Sequence, residues 1–437
     1  MSERKYFGTD GVRGSVADFL TPELVFKLGA ASAAWLGNEK PRILIIRDTR
    51  ESGPVLEEAL ASGIVAAGGD AVLAGVLPTP AAGILCESGE YDLAVVVSAS
   101  HNVYSDNGIK FILPSGSKLD DGEEAQIEAT LEQDHSTGQP GSVVTLEDGA
   151  ARYVAALAEK FDMDLGGLPV ALDCGNGATH AVAPEIFSRL GADVKVIGDN
   201  PDGRNINAEC GSTCPEVLAK FVVDSGAAIG FAFDGDGDRV IAVDGTGEIR
   251  DGDELLTLVA LDLNRRDGLG GGVVVTTMTN YGFHSKMEAK GIAVRETQVG
   301  DRYVQQGMTE LGWKFGGEQS GHLIWSDFAR TGDGIAGALL TLQALGETRL
   351  EDFYAFDRLP QRLVNVKIRS REEIPTAARF QAAVQEESAK LEGRGRVVVR
   401  PSGTELLVRI MVEAPEPEEC ESVVNRLAEI AEAEIGA

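Results

Sequence analysis

The chain has 437 residues, 43% of them hydrophobic, enough for several packed interiors and suggestive of three or four domains. Asp and Glu number 69 against 39 for Lys and Arg, and the net charge of -30 argues against nucleic acid or an anionic membrane as partner. The five cysteines (Cys86, Cys174, Cys210, Cys214 and Cys420) lack Cys-x-x-Cys spacing, no apolar h-region follows Ser2-Glu-Arg-Lys5, and no apolar run has membrane-spanning length; reduced thiols in a cytoplasm are therefore expected.

Gly8-Thr-Asp-Gly-Val-Arg-Gly14 reads as a glycine-punctuated loop that brings backbone amides near a ligand, with Arg13 as a fork of phosphate donors. Thr21-Pro22 caps a helix with apolar positions at Leu24, Leu28, Ala31 and Trp35. Strand Arg42–Arg47, helix Val55–Ala67, strand Ala71–Ala74 and a helix near Ala81–Glu87 lead to Leu93-Ala-Val-Val-Val-Ser98-Ala-Ser-His-Asn102. This apolar run reads as a buried strand whose end delivers Ser98, Ser100 and His101 into a crevice, where open α/β sheets bind ligands. Ser98 and Asn102 stand where Gly-x-Ser-x-Gly needs glycines, so a hydrolase elbow is excluded and a phosphoryl-carrying serine is the alternative. Asn107-Gly108 is expected to turn the chain, with Lys110 just inside the next strand and able to face the same crevice; a helix over Asp120–Gln133 precedes the polar stretch Ser136–Ser142.

A second α/β set has helix Ala150–Lys160, strand Pro169–Asp173, helix Ala183–Leu190, strand Asp193–Ile197, helix Pro215–Asp224 and strand Ala227–Phe233. The last runs straight into Asp234-Gly-Asp-Gly-Asp-Arg239, where the glycines let the backbone curl so that three carboxylates converge on one divalent cation. An EF-hand would require glycine at Arg239 and glutamate at Gly245; open positions for phosphate oxygen and water suit magnesium better. A third set has helix Glu254–Leu263, strands Gly272–Thr276 and Ile292–Arg295, the segment Val299-Gly-Asp-Arg302, and helix Gly334–Leu345. Within it Glu318, Ser320 and His322 offer an acceptor, a donor and an imidazole suited to sugar hydroxyls and amines. The last segment, with strands Val364–Ile368, Arg396–Val399 and Leu406–Val412 and two helices, reads as a small α+β domain. Its Arg400-Pro-Ser-Gly-Thr404 loop and Arg409 can hold a phosphate dianion, while the missing Gly-x-x-x-x-Gly-Lys argues against a nucleotide P-loop.

The expected fold is α/β: three similar mixed α/β domains (1–148, 149–250 and 251–360) plus a smaller C-terminal α+β domain (361–437) around a central active-site cleft. The ordered set Gly8–Gly14, Ser98–Asn102, Asp234–Arg239, Gly317-Glu-Gln-Ser-Gly-His322 and Arg400–Thr404 resembles the α-D-phosphohexomutase superfamily over nearly the whole chain. Asp173-Cys-Gly-Asn-Gly-Ala-Thr179, Asn205-Ile-Asn-Ala-Glu-Cys-Gly211 and Thr331-Gly-Asp-Gly334 look like its phosphoglucosamine mutase branch. That resemblance implies interconversion of glucosamine 6-phosphate and glucosamine 1-phosphate, toward UDP-N-acetylglucosamine and the bacterial cell wall. It also implies one Mg2+ per site, a sugar bisphosphate as activator and intermediate, a phosphosugar as small-molecule partner, and room for a homodimer. Ser100 would carry the phosphoryl group and join Asp234, Asp236 and Asp238 around the metal. Arg13, Lys110, His101, Arg239 and His322 would serve the reacting centre, with Arg13 and Lys110 or His322 as candidates for proton transfer. Glu318 and Ser320 would grip the sugar, and Arg400, Ser402, Gly403, Thr404 and Arg409 the distal phosphate. Val103, Pro401 and Leu406 depart from the proline, lysine and proline common in the family at those places, and Pro401 removes one charge from the phosphate loop. A phosphoglucomutase or phosphomannomutase, and a non-catalytic phosphosugar-binding protein, are the rival readings.

Overall fold

Strands covered on both faces need continuous rather than alternating hydrophobicity, and the runs Leu93–Val97, Ile229–Phe233 and Gly272–Thr276 are buried at every residue. The computed structural model describes residues 5–8, 10–402 and 405–437. It divides into one unit of Met1–Thr276 with Arg295–Tyr354 and another of Thr277–Val294 with Ala355–Ala437.

The first unit holds three sheets. Strands β1 (Val12–Ser15), β2 (Arg42–Arg47), β3 (Asp70–Val76), β4 (Leu93–Val97), β5 (Asp106–Ile112) and β6 (Val143–Thr145) lie in the order β1-β5-β4-β2-β3-β6. Here β4, β2, β3 and β6 run parallel, and β5 is antiparallel to both its neighbours. The second sheet contains β7 (Pro169–Asp173), β8 (Asp193–Ile197), β9 (Ile229–Phe233), β10 (Val240–Asp244) and β11 (Ile249–Arg250), ordered β11-β10-β9-β7-β8. The third has β12 (Gly272–Thr276), β13 (Ala293–Thr297), β14 (Phe315–Gly317) and β15 (Leu323–Trp325), ordered β13-β12-β14-β15. In the second unit β16 (Gln361–Lys367), β17 (Arg396–Pro401) and β18 (Leu407–Glu413) form an antiparallel sheet, β16-β18-β17. Helices Ala378–Leu391 and Pro417–Ile435 cover it over a core that includes Phe380, Val408, Ile410 and Leu427. Three mixed α/β sets and a smaller α+β set are the expected fold class.

Several local expectations are corrected. Asn107-Gly108 is not a turn but lies inside β5, paired with Gly14 and Arg13 of β1; a Cβ on Gly108 would meet the Ser98 carbonyl at 2.4 Å, so the glycine serves close strand packing. The glycine loop near the start gives way to β1 at Val12, and β10, which was not foreseen, returns the chain after the aspartates. The helix from Asp121 stops at Glu128, with Thr130 beyond it folding its hydroxyl onto the Ile127 carbonyl.

Asp333 ties the third α/β set to the second. Its Oδ1 accepts from the Ala336 N–H and caps helix Gly334–Leu345, while Oδ2 accepts from the Tyr153 hydroxyl at 2.8 Å. Burial raises its carboxyl to about 6 despite those donors. The folded state therefore holds this proton from about pH 4 to 6 while the unfolded chain has released it, and this stabilisation is lost as pH rises through 6. Asp333→Asn keeps a cap and cannot ionise. Its stability relative to the parent should improve by roughly 2–3 kcal/mol between pH 4 and 7 in paired denaturant titrations; a pH-independent difference would contradict this assignment.

Candidate active site

Strand β9 ends at Phe233, and the next six residues turn back into β10. Gly237 (φ 71°) takes the left-handed conformation that makes this turn, whereas Gly235 is needed for space: a Cβ there would meet the Ser100 carbonyl at 2.6 Å. Asp234, Asp236 and Asp238 are buried and each offers an oxygen within 4.8 Å of the others. Asp236 Oδ1 and Asp238 Oδ1 are buried without a hydrogen-bond partner among the described residues. Two orphaned carboxylate oxygens facing a third carboxylate are costly unless a cation completes them, so the donor set fits a hard divalent metal. Burial, then Asp238 and Asp236, pushes the Asp234 carboxyl well above the usual range. Burial opposes ionisation at Asp238 too, but His322 and the nearby cations hold it well below the usual range.

Ser100 follows β4 and donates through Oγ to Asp234 Oδ2 at 2.6 Å. His101 Nδ1 lies 3.3 Å from the same hydroxyl, and burial, then Arg239 and Arg13, lowers this imidazole to about 4, leaving it neutral at pH 7. Lys110 reaches Asp236 Oδ2 at 2.7 Å from inside β5, where Thr79 Oγ1 also donates at 2.7 Å. Arg13 pairs with Asp10. The Nε atoms of Arg13 and Arg239 are buried without a hydrogen-bond partner among the described residues. These groups meet at a cleft of about 300 Å³ lined by Arg13, Ser100, His101, Asp238, Arg239, Glu318 and His322, together with Asp10 and Asp301. His322 Nδ1 is 3.6 Å from Asp238 Oδ2, and its Nε2 accepts from the Gly332 N–H and sits 3.6 Å from Asp301. Burial works against the imidazolium, but Asp238, Asp301 and Glu318 together outweigh it and raise His322.

Asp234, Asp236, Lys110 and Ser320, expected at the reacting centre or the sugar, do not line the cleft. Lys110 is fully buried behind Asp236, and Ser320 is exposed at the β14–β15 turn. Ser98 is corrected as well: it is buried and hydrogen-bonded to Asp48 instead of entering the crevice. In the second unit Arg400 and Arg409 are cross-strand partners, and burial, then Arg409, lowers Arg400. Like charges in direct register repel each other, so this pair is able to take an anion between the two guanidinium groups. Ser402 accepts there from the Glu405 N–H at 3.3 Å, while Gly403 and Thr404 lie outside the described residues. The sequence reading missed Asp10, Lys118 and Asp301: buried Lys118 bridges the two aspartates, and burial is outweighed by Lys110, Lys118 and Arg13 in holding Asp10 well below the usual range. The glycines at 8, 11 and 116 around Asp10 and Lys118 were the available signal.

A serine hydroxyl held against a metal-competent carboxylate cluster, with unsatisfied guanidinium donors beside it, has the equipment to accept and pass on a phosphoryl group. Fold and site together therefore define a phosphohexomutase-type phosphotransferase. Successive segments match phosphoglucomutase/phosphomannomutase α/β/α domain I (4–137), domain II (151–247), domain III (251–358) and the C-terminal domain (363–430). Phosphoglucosamine mutases from Moorella thermoacetica (47% identical, covering 98% of this chain and 99% of that protein) and Bacillus subtilis (43%, 99% and 99%) match over almost their full lengths. The chain belongs to the phosphoglucomutase/phosphomannomutase family, in its phosphoglucosamine mutase branch. Among solved structures, a family protein from Burkholderia thailandensis has the same fold (TM-score 0.84, 23% identity, 98% and 97% of the chains). So does an Aspergillus fumigatus N-acetylphosphoglucosamine mutase in complex with GlcNAc-6P and magnesium (TM-score 0.67, 20%, 100% and 96%). No helix among the described residues is long and apolar enough to cross a membrane.

Proposed function

We propose that this chain interconverts glucosamine 6-phosphate and glucosamine 1-phosphate through a phosphoseryl enzyme. The observation that carries the chemistry is the 2.6 Å contact of Ser100 Oγ with Asp234 inside the carboxylate cluster; the choice of amino sugar rests on the full-length likeness to phosphoglucosamine mutases. Phosphorylated Ser100 loses its P–O bond as the free sugar hydroxyl gains one, giving a bisphosphate; the other phosphate then returns to Ser100 Oγ. Mg2+, the metal that the all-carboxylate donor set favours, would neutralise charge on the phosphoryl oxygens and the seryl leaving oxygen. Asp234, Asp236 and Asp238 would hold that ion, while Arg13 and Arg239 would turn their spare N–H donors to the equatorial oxygens of a loose transition state. Of the candidates for proton transfer, His322 lines the cleft while Lys110 lies behind Asp236; to take the proton of the sugar hydroxyl, His322 Nε2 must exchange the Gly332 N–H for that hydroxyl. Glu318, beside it in the cleft wall, accepts sugar hydroxyls or the 2-ammonium group. Arg400 and Arg409, with Ser402, grip the phosphate that is not being transferred. The reaction uses soluble sugar phosphates, which suits a cytoplasmic enzyme.

A coupled assay with glucosamine, glucose and mannose phosphates, Mg2+ and a bisphosphate primer tests the reading. We expect kcat/KM for glucosamine phosphate to exceed the others by about tenfold or more. A preference for glucose or mannose phosphate would transfer the chain to the phosphoglucomutase or phosphomannomutase reading, and binding without turnover would make it a phosphosugar-binding protein.

A further inference from the structure

Ser100 adopts a left-handed backbone (φ 53°), a conformation that is unfavourable for a non-glycine residue and persists only where surrounding contacts impose it. Those contacts come mainly from Arg50, one of the largest fully buried side chains. Its Nη2 donates to the Ser100 and Asn102 carbonyls at 2.8 and 2.9 Å, and its Nη1 to the carbonyls of Asp106 (3.0 Å) and Val103. Its Nε donates to Asp48 Oδ2 at 2.8 Å. Every N–H of the guanidinium is thereby used. Asp48 Oδ2 also accepts from Ser98 Oγ at 2.6 Å, and Ser98 Oγ accepts the Ser100 N–H at 3.0 Å. From the second α/β set Asn207, itself left-handed (φ 57°), donates through Nδ2 to the Ser100 carbonyl at 3.0 Å.

Four carbonyls converging on one point repel each other unless a planar cation fills the space, and a lysine ammonium has three donors on one nitrogen where Arg50 spreads five across a fork. The loop thus turns its carbonyls inward around Arg50 and its seryl oxygen outward to Asp234.

We propose that Arg50, oriented by Asp48, and Asn207 are positioning residues for phosphoryl transfer: they hold the Ser100 peptide so that Oγ and the group it carries face the carboxylate cluster. This rests on the functional reading above and adds to it residues that touch neither sugar nor metal. The prediction separates kcat from KM, because the sugar-gripping residues lie on other elements. In Arg50→Lys, kcat per phosphorylated Ser100, with occupancy counted by intact mass, should fall about 30- to 100-fold, as expected for misplacement on the order of 1 Å, with KM changed less than about threefold. Asn207→Gly removes the donor yet tolerates the left-handed backbone, and should lower kcat about three- to tenfold with its melting temperature nearly unchanged. The double variant should lose less than the product of the two factors, since both side chains donate to the Ser100 and Asn102 carbonyls. Where Arg50→Lys does not fold, Asn207→Gly decides. Unchanged kcat per phosphorylated site in the folded variants, or a kcat loss that only follows the unfolded fraction, overturns the assignment while the active parent keeps its function. A parent inactive on all three sugars overturns the functional reading and this inference with it.

Discussion

Ser100→Ala is expected to abolish isomerisation, by on the order of 10³-fold or more, while leaving the fold intact. The substitution removes one oxygen from a loop whose shape is set elsewhere: the residue 100 N–H still donates to Ser98, and its carbonyl still accepts from Arg50 and Asn207. What disappears is the oxygen proposed to carry the phosphoryl group and the donor that Asp234 now receives. Turnover of glucosamine phosphates and phosphate incorporation from a sugar bisphosphate should vanish together, with a near-unchanged circular dichroism spectrum. Normal turnover by this variant would exclude a phosphoseryl enzyme.

Asp234→Asn should lower activity by about 10²-fold or more and yet stabilise, or leave unchanged, the metal-free protein. Burial and the neighbouring Asp238 and Asp236 hold the Asp234 carboxyl well above its ordinary value, so the metal-free fold favours its neutral form. Asparagine is the isostere of that form. Its Oδ1 can take the Arg239 N–H that Asp234 Oδ1 now accepts, and its amide can meet the Ser100 hydroxyl. Metal binding needs the ionised carboxylate, which burial and the other two aspartates disfavour, so the parent's metal affinity should rise with pH. Magnesium at a hundred times its dissociation constant would add about 2.7 kcal/mol to the parent and much less to the variant. Thermal melts with and without chelator measure both effects. A metal-dependent rise in melting temperature as large in the variant as in the parent would remove Asp234 from the ligand set.

Local spacing carried much of the site. Alternating aspartates and glycines after an apolar strand encode a ligand set within five residues, and the structure draws their oxygens within 4.8 Å of one another. The strand that ends at Val97 and the loop with Ser100 were equally legible, because a buried strand and the polar break after it are features of a ten-residue window. Asn107-Gly108 misled for the same reason: the dipeptide has turn propensity, but pairing with β1 and the close approach of the Ser98 carbonyl override it.

The amino-acid sequence by itself determined the alternation of α/β elements in the first two sets apart from the strands after the aspartates, the carboxylate cluster, the serine and the arginine pair at the C-terminal sheet. Only the tertiary structure decided that Arg50 would hold the Ser100 loop, that Lys118 would join Asp10, 108 positions before it, to Asp301, 183 positions after it, and that Ser98 would turn inward to Asp48. The reason is one of range: propensity and periodicity act over a turn or a strand, whereas a buried charge finds its partner through packing that brings distant segments together.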